Sequence, residues 1–282
     1  MAPERLRVLL DLDFQGAGSG LGRSVVERWP PLLGSSSSFK RMDTVADENA
    51  YMQMQKDFYN RYAAQSKYEQ EVKQESIVGS YHKHDAWTDY DRYIMRHVDD
   101  SYKQKLALEF GCGPGRNIVR WHHLFKQIDG CDISKKNLEN ARANLKYHGV
   151  PMEPAFYETS GNDLGAAPSN TYDFVYSTIC MQHICVHRIR LEIMHHMYRV
   201  LRKGGRISIQ MGFGYDSPKS VGYYENNTGA ETTNRGCDTR VENPDFLEKD
   251  LVTFGFKDFD YWVRPTGPGD SHPYWIYFTA VK

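Results

Sequence analysis

Two periods of apolar residues alternate along this chain, and their alternation predicts an α/β fold. Apolar runs of strand length end at Glu109 and at Asp132, and further runs occupy 153–159, 172–177, 206–211, 258–263 and 275–281. The run YDFVYS at 172–177 is apolar enough to lie centrally in a sheet covered on both faces. Between the runs the period lengthens to that of a helix. Tyr51, Met54, Phe58 and Tyr62 recur at steps of three, four and four in a helix expected from 43 to about 75. A second helix is expected from Thr88, with Asp91 three positions on as a capping-box-like start and Tyr90, Tyr93, Ile94, His97 and Val98 along it. Leu138, Ala141 and Leu145 share a face of a helix over 135–147, with Gly149 just past its end. Ile189, Ile193, Met197, Val200 and Leu201 face inward from a helix over 188–202 that Lys203-Gly204-Gly205 stops. Asn243-Pro244 offers an N-cap and a first-turn proline to a helix ending at Gly255.

Composition narrows the class. A chain of 282 residues, 40% of them hydrophobic, buries a substantial core. Its formal net charge of −1 argues against non-specific nucleic-acid binding, which needs a basic face. Five cysteines, at 112, 131, 180, 185 and 237, form no C-x-x-C pair and read as reduced intracellular thiols. No run of eighteen apolar residues is present to span a membrane. The first forty residues differ from the rest: GAGSG at 16–20, Pro30-Pro31 and GSSSS at 34–38 predict a disordered extension. Four arginines there suggest a transit peptide, but Glu4, Asp11, Asp13 and Glu27 are out of place in one. The expected compartment is therefore the cytoplasm, with organelle targeting left open. Asn226-Asn227-Thr228 matches a glycosylation acceptor, which an intracellular chain leaves unused.

The chemistry begins where the first run ends. LALEFGCGPGR, 106–116, places glycines at 111, 113 and 115, and Asp132 closes the second run twenty-one positions after Gly111. This spacing suits a nucleoside lying across the tips of two adjacent parallel strands, with the acid on the ribose hydroxyls. The dinucleotide fingerprint needs a glycine where Arg116 stands, and no Gly-Lys-Ser/Thr follows to make a phosphate loop. The segment resembles the E-x-G-x-G-x-G signature of class I methyltransferases, and the resemblance runs from about residue 104 to the C-terminus.

That resemblance implies a Rossmann-like, doubly wound, seven-stranded and mostly parallel sheet with an antiparallel last strand. It implies a division into an extension (1–40), a helical lid (41–103) and an S-adenosyl-L-methionine-binding domain (104–282). Cofactor contacts are implied for Glu109, Gly111, Cys112, Gly113, Gly115, Asn117, Asp132, Ile133 and Ser177. In the loop at 160–170 the family's acid-containing segment is matched by Asn162-Asp163-Leu164, where the carboxylate accepts from the adenine amino group. The alternative for Asp163 is an ordinary loop aspartate starting a turn.

Ligands of open α/β sheets bind outside the C-terminal ends of the strands, so 177–183 faces the methyl donor or acceptor. Cys180, Gln182 and His183 are the candidates there, with His183 a general base if the acceptor loses a proton, or else a helix cap. Tyr59 and Tyr62 from the lid, Tyr215 in the long connection 212–242, and Arg264 as a carboxylate clamp complete the acceptor set. Tyr223, Tyr224, Arg235 and Arg240 lie in the same connection, and each arginine reads equally as a surface charge. The reaction implied is an in-line displacement onto nitrogen, sulfur or oxygen of a small molecule, by a monomer or homodimer that needs no metal. A protein methyltransferase and a non-catalytic S-adenosylmethionine-binding subunit are the alternatives. The Asn/Asp-Pro-Pro-Tyr motif of DNA amine methyltransferases is absent, STICMQHI standing in its place.

Overall fold

The computed structural model describes residues 45–65, 90–215, 220–228, 238–266 and 272–282. Five strands run parallel in the order β3-β2-β1-β4-β5: Phe156–Glu158, Gln127–Asp132, Leu106–Phe110, Tyr172–Ser177 and Leu201–Phe213. The sheet continues through β9 (Tyr274–Val281), antiparallel to β5, and ends at β8 (Lys257–Pro265), antiparallel to β9. These are the seven strands the sequence leads one to expect. Two more lie in the long connection. β6 (Ser220–Val221) pairs with β7 (Asp238–Val241), and β7 pairs with β5 at Gly212 and Phe213, past the point where β4 ends. The overhang of β5 beyond β4 leaves an edge open, and β7 fills it.

Alternation along the central strands splits the core into two layers. Leu108, Phe110 and Val175 pack with Ile193, Met197, Ile209 and Leu251. Ala107, Phe174 and Tyr176 pack with Ile118, Trp121, Ile128 and Leu138. Helices α2 (Arg116–Trp121), α3 (Lys135–Tyr147), α4 (His187–Val200) and α5 (Pro244–Phe254) supply the helical partners, and α1 (Val45–Gln65) adds Tyr51 to the first layer. Ser134 caps α3 by accepting from the amide of Asn137. Asn243 caps α5 as its sequence implies, and Gly255 ends it at φ 97°.

Two elements depart from expectation. Thr88 lies outside the described residues, and the chain after it forms one wide turn, Tyr90–Ile94, closed by a bond from Met95 N to Tyr90 O (3.0 Å). That turn seats Tyr90, Ile94 and Met95 together on the Trp121–Tyr176 layer, which a regular helix of this stripe would spread apart. Helix α4 ends at Val200, not Arg202, because extended Leu201 already pairs with Tyr172 and opens β5. Lys203-Gly204-Gly205 therefore lies within β5.

Helix α1 crosses the C-terminal ends of the strands. Asn60 Oδ1 accepts from Ser134 Oγ (2.8 Å), and Asn140 Nδ2 donates to Ala63 O (3.2 Å), tying its end to α3. At the other side Tyr51 Oη donates to His183 O (3.2 Å) and accepts from Cys185 N (2.8 Å). The site is therefore roofed from within the chain.

Candidate active site

Beneath α1 lies a cavity of about 940 Å³, its open mouth included. One side is the glycine turn. Gly111 and Cys112 donate their amides to Cys131 O (2.8 and 3.1 Å), which locks the tip of β1 onto β2. Gly111 (φ 71°) has no room for a side chain, since a Cβ would lie 2.2 Å from Cys180 Sγ. Gly113 (φ 51°) faces open space. Gly115 does not line the cavity; a Cβ there would lie 2.9 Å from Leu145 Cδ1, so this glycine serves the packing of α2 on α3.

Asp132 accepts from Gly113 N (2.9 Å) through one oxygen and from Ser134 N (2.8 Å) and Asn137 Nδ2 (3.2 Å) through the other. Burial pushes its carboxyl up despite these bonds. Glu109 accepts from Asn117 Nδ2 (2.5 Å) and Tyr176 Oη (3.2 Å), and burial raises it to about 8. Asn117 Oδ1 and Asn137 Oδ1 are buried with no hydrogen bond, on two residues that line the cavity. Open glycine backbone, a buried acid and two unpaired amide oxygens suit a polar nucleoside-bearing cofactor. Gly111, Gly113, Asp132, Asn117 and Asn137 line the cavity where such a group would be held.

The opposite side is formed by Tyr51, Met52, Gln55 and Tyr59 of α1 with Ile179, Cys180, His183 and Ile184 from the segment after β4. His183 closes a one-turn 3-10 helix, Met181–His183. Its Nδ1 lies 2.6 Å from Asp238 Oδ1 at the start of β7, and Asp238 Oδ2 lies 3.3 Å from Nε2 of fully buried His272. Burial pushes the Tyr59 hydroxyl and the Cys180 thiol up, Asp132 adding to both. Neither serves as a base near neutrality.

The sequence candidates divide accordingly. The cavity gathers Glu109, Gly111, Cys112, Gly113, Asn117, Asp132, Ile133, Cys180, His183 and Tyr59. It does not gather Ser177, whose hydroxyl donates to Phe110 O (2.9 Å), or Leu164, which is core. Asp163 accepts from Ser160 Oγ (2.7 Å) and Gly165 N (2.8 Å), and Asn162 donates to Glu192, so both shape their own loop while Thr159 and Gly161 reach the cavity. Gln182 is fully buried with both amide atoms unpaired and does not itself line the cavity. Tyr62 stands against Phe58, Tyr215 is exposed, and Arg264 donates to Pro265 O, none of them at the cavity. Tyr223 is core, with its hydroxyl on Asp250, and Arg240 reaches Ser220 O. Arg235 lies outside the described residues. Asp238 and His272 carry no local signal and were not expected.

Residues 107–205 match the family model described as a methyltransferase domain. Over these residues the sequence is that of a methyltransferase domain. The lining just described suits the nucleoside of a cofactor such as S-adenosyl-L-methionine. No curated protein sequence matches the chain significantly. Among solved structures, the methyltransferase domain is similar to the [4+2]-cyclase SpnF (14% identity, TM-score 0.59, 82% of this chain and 96% of that one). It is similar also to phosphoethanolamine N-methyltransferase 2 of Haemonchus contortus, solved with S-adenosyl-L-methionine (18%, TM-score 0.51, 70% of this chain). The chain spans about half of that enzyme's length, 52%. A third is geranyl diphosphate C-methyltransferase of Streptomyces coelicolor A3(2), solved with S-adenosyl-L-homocysteine (10%, TM-score 0.50, 69% of this chain and 79% of that one). At these identities the likeness is one of fold. Among the described residues no helix is long and apolar enough to cross a membrane.

Proposed function

We propose that this chain transfers the methyl group of S-adenosyl-L-methionine to a small molecule seated between α1 and the segment after β4. The observation that carries the reading is a single cavity with the glycine turn and Asp132 on one side and Tyr51, Tyr59, Cys180 and His183 on the other. The fold alone does not carry it, since a protein described as a cyclase shares it. Bound cofactor supplies a methyl on a sulfonium, already a good electrophile. The protein's work is then to align and to exclude water, and positioning alone accounts for up to about 7–11 kcal/mol of such barriers. Asp132 and Asn137 fix the nucleoside end, and Asn117 and Thr178, hydrogen-bonded at 2.8 Å, border the reacting end. Tyr51 and Tyr59 press an apolar roof onto the acceptor. A roofed cavity suits a small acceptor better than a peptide lying in an open groove.

Calorimetric titration with S-adenosylmethionine and S-adenosylhomocysteine tests the reading. The expected result is saturable binding of both near one per chain, followed by S-adenosylhomocysteine release with some member of an acceptor panel. Absence of saturable binding for either ligand overturns it.

A further inference from the structure

We propose that Asp238, backed by His272, holds His183 as the proton acceptor of the site, and that the methyl acceptor is therefore a hydroxyl or amine that sheds a proton as it is methylated. The proposal rests on the methyltransferase reading and deepens it to a class of substrate.

Three distant segments meet here. His183 lines the cavity with 32% of its side-chain surface accessible, Asp238 behind it keeps 16%, and His272 behind that keeps none. The row runs from the cavity into the interior. A carboxylate accepts and does not donate, so the 2.6 Å contact places the proton of neutral His183 on Nδ1. Nε2 keeps its lone pair, and among the described residues no hydrogen bond reaches it. Burial pushes the Asp238 carboxyl up, but the two imidazoles outweigh burial and hold it well below the usual carboxylate range. Asp238 thus stays charged.

The arrangement is braced from several sides. Thr239, next to Asp238, donates to Ile184 O (3.0 Å), next to His183. Buried Arg190 donates to both Ile184 O and Thr239 Oγ1 and so clamps the two segments together. The His272 ring lies against Gly212 so closely that a Cβ would fall 2.3 Å from it. Gly212 belongs to the part of β5 that pairs with β7. A side chain there would displace His272.

The other titratable groups around His183 are unsuited to the task. Tyr51 and Tyr59 of α1 and Cys180 of its own loop are all pushed up, chiefly by burial. Asp132 and Glu109, at the cofactor end, are committed to Gly113, Ser134 and Asn117. As the acceptor atom bonds to the methyl carbon, the carbon–sulfur bond breaks with its electron pair kept by sulfur. The proton of the acceptor atom moves to His183 Nε2, Asp238 balances the imidazolium, and the proton then passes to water. One proton is released per turnover.

The test has a readout independent of turnover. In the full chain labelled with ¹⁵N-histidine, with the His183 signals assigned by loss in His183→Gln, the expected spectrum at high pH is that of the Nδ1–H tautomer. Asp238→Asn is expected to shift it toward Nε2–H. With S-adenosylmethionine and an acceptor panel, release of S-adenosylhomocysteine is expected with phenols, alcohols or amines and not with thioethers or tertiary amines, which carry no proton to lose. Asp238→Asn is expected to lower kcat about 100-fold with KM nearly unchanged. The loss should shrink as pH rises and the acceptor ionises unaided, and Asp238→Glu should recover part of it. A purely structural role leaves that pH profile alone. An Nε2–H tautomer in the wild-type chain, or turnover confined to thioethers or tertiary amines, overturns the proposal. The wild-type tautomer keeps the test decisive if Asp238→Asn does not fold. Failure of the wild-type chain to bind S-adenosylmethionine strikes the methyltransferase reading instead.

Discussion

The two sides of the cavity are built differently. The cofactor side spans residues 109–137, and its glycine turn, acid and cap bond to one another across short stretches of chain. The acceptor side draws on α1, the segment after β4, β7 and His272, two residues before β9, with hydrogen-bonded partners 55 and 132 positions apart. A nucleoside is a constant ligand, so a compact local motif suffices to hold it. An acceptor pocket is assembled by tertiary contacts, where sequence can change without disturbing the sheet.

Substitutions in each side should separate the two. The largest effect is expected from Asp132→Ala. It removes the group placed on the ribose, where hydrogen bonds to a charge are worth about 1.5–3 kcal/mol each. The S-adenosylmethionine Kd should rise about 100-fold or more in calorimetry. An unchanged Kd would remove Asp132 from the cofactor site. On the acceptor side, Arg190→Met strips the clamp from Ile184 O, Tyr223 O and Thr239 Oγ1. Urea unfolding should show a loss of about 2–3 kcal/mol, since buried acceptors left without donors cost more than the apolar replacement recovers.

This difference also decides what was legible beforehand. The seven main strands, the cap at Asn243 and the Gly111–Asp132 spacing follow from local period and turn chemistry. The segment at 160–165 reads two ways because an Asx-type turn and an adenine contact want the same residue, and Asp163 makes the bonds of the turn. Gly115 fits the motif for a packing reason. Asp238 and His272 give no local sign, since a lone acid at the start of a four-residue strand acquires meaning only beside His183. Tyr215 and Arg264 were chosen by residue type on long connections, and type alone does not bring a side chain to a cavity.

The cofactor side should also differ in its response to pH. Glu109 titrates at about 8 in the fold, raised by burial against an ordinary value of 4.5. Below the ordinary value both folded and unfolded chains hold the proton, and the full contribution is present. Between the two values the folded chain holds it and the unfolded chain does not, so stability falls with rising pH. Above about 8 no further loss accrues from this group. Urea unfolding of the wild-type chain should lose about 3–4 kcal/mol from pH 5 to 8 that Glu109→Gln does not lose. Equal slopes in the two proteins would mean that Glu109 ionises normally.

The smallest expected effect probes the roof that joins the sides. The Tyr51 hydroxyl donates to His183 O and accepts from Cys185 N, so it connects α1 to the loop carrying the proposed base. Tyr51→Phe keeps the buried ring and leaves the Cys185 amide without its acceptor, a cost of about 1 kcal/mol. That should appear as a lower urea midpoint at unchanged m. If α1 is held chiefly by Asn60 and Asn140 on α3, cofactor affinity should stay within about twofold. A tenfold loss of S-adenosylmethionine affinity would instead mean that the Tyr51 bridge closes the roof over both ligands, and the two sides would then be coupled through α1.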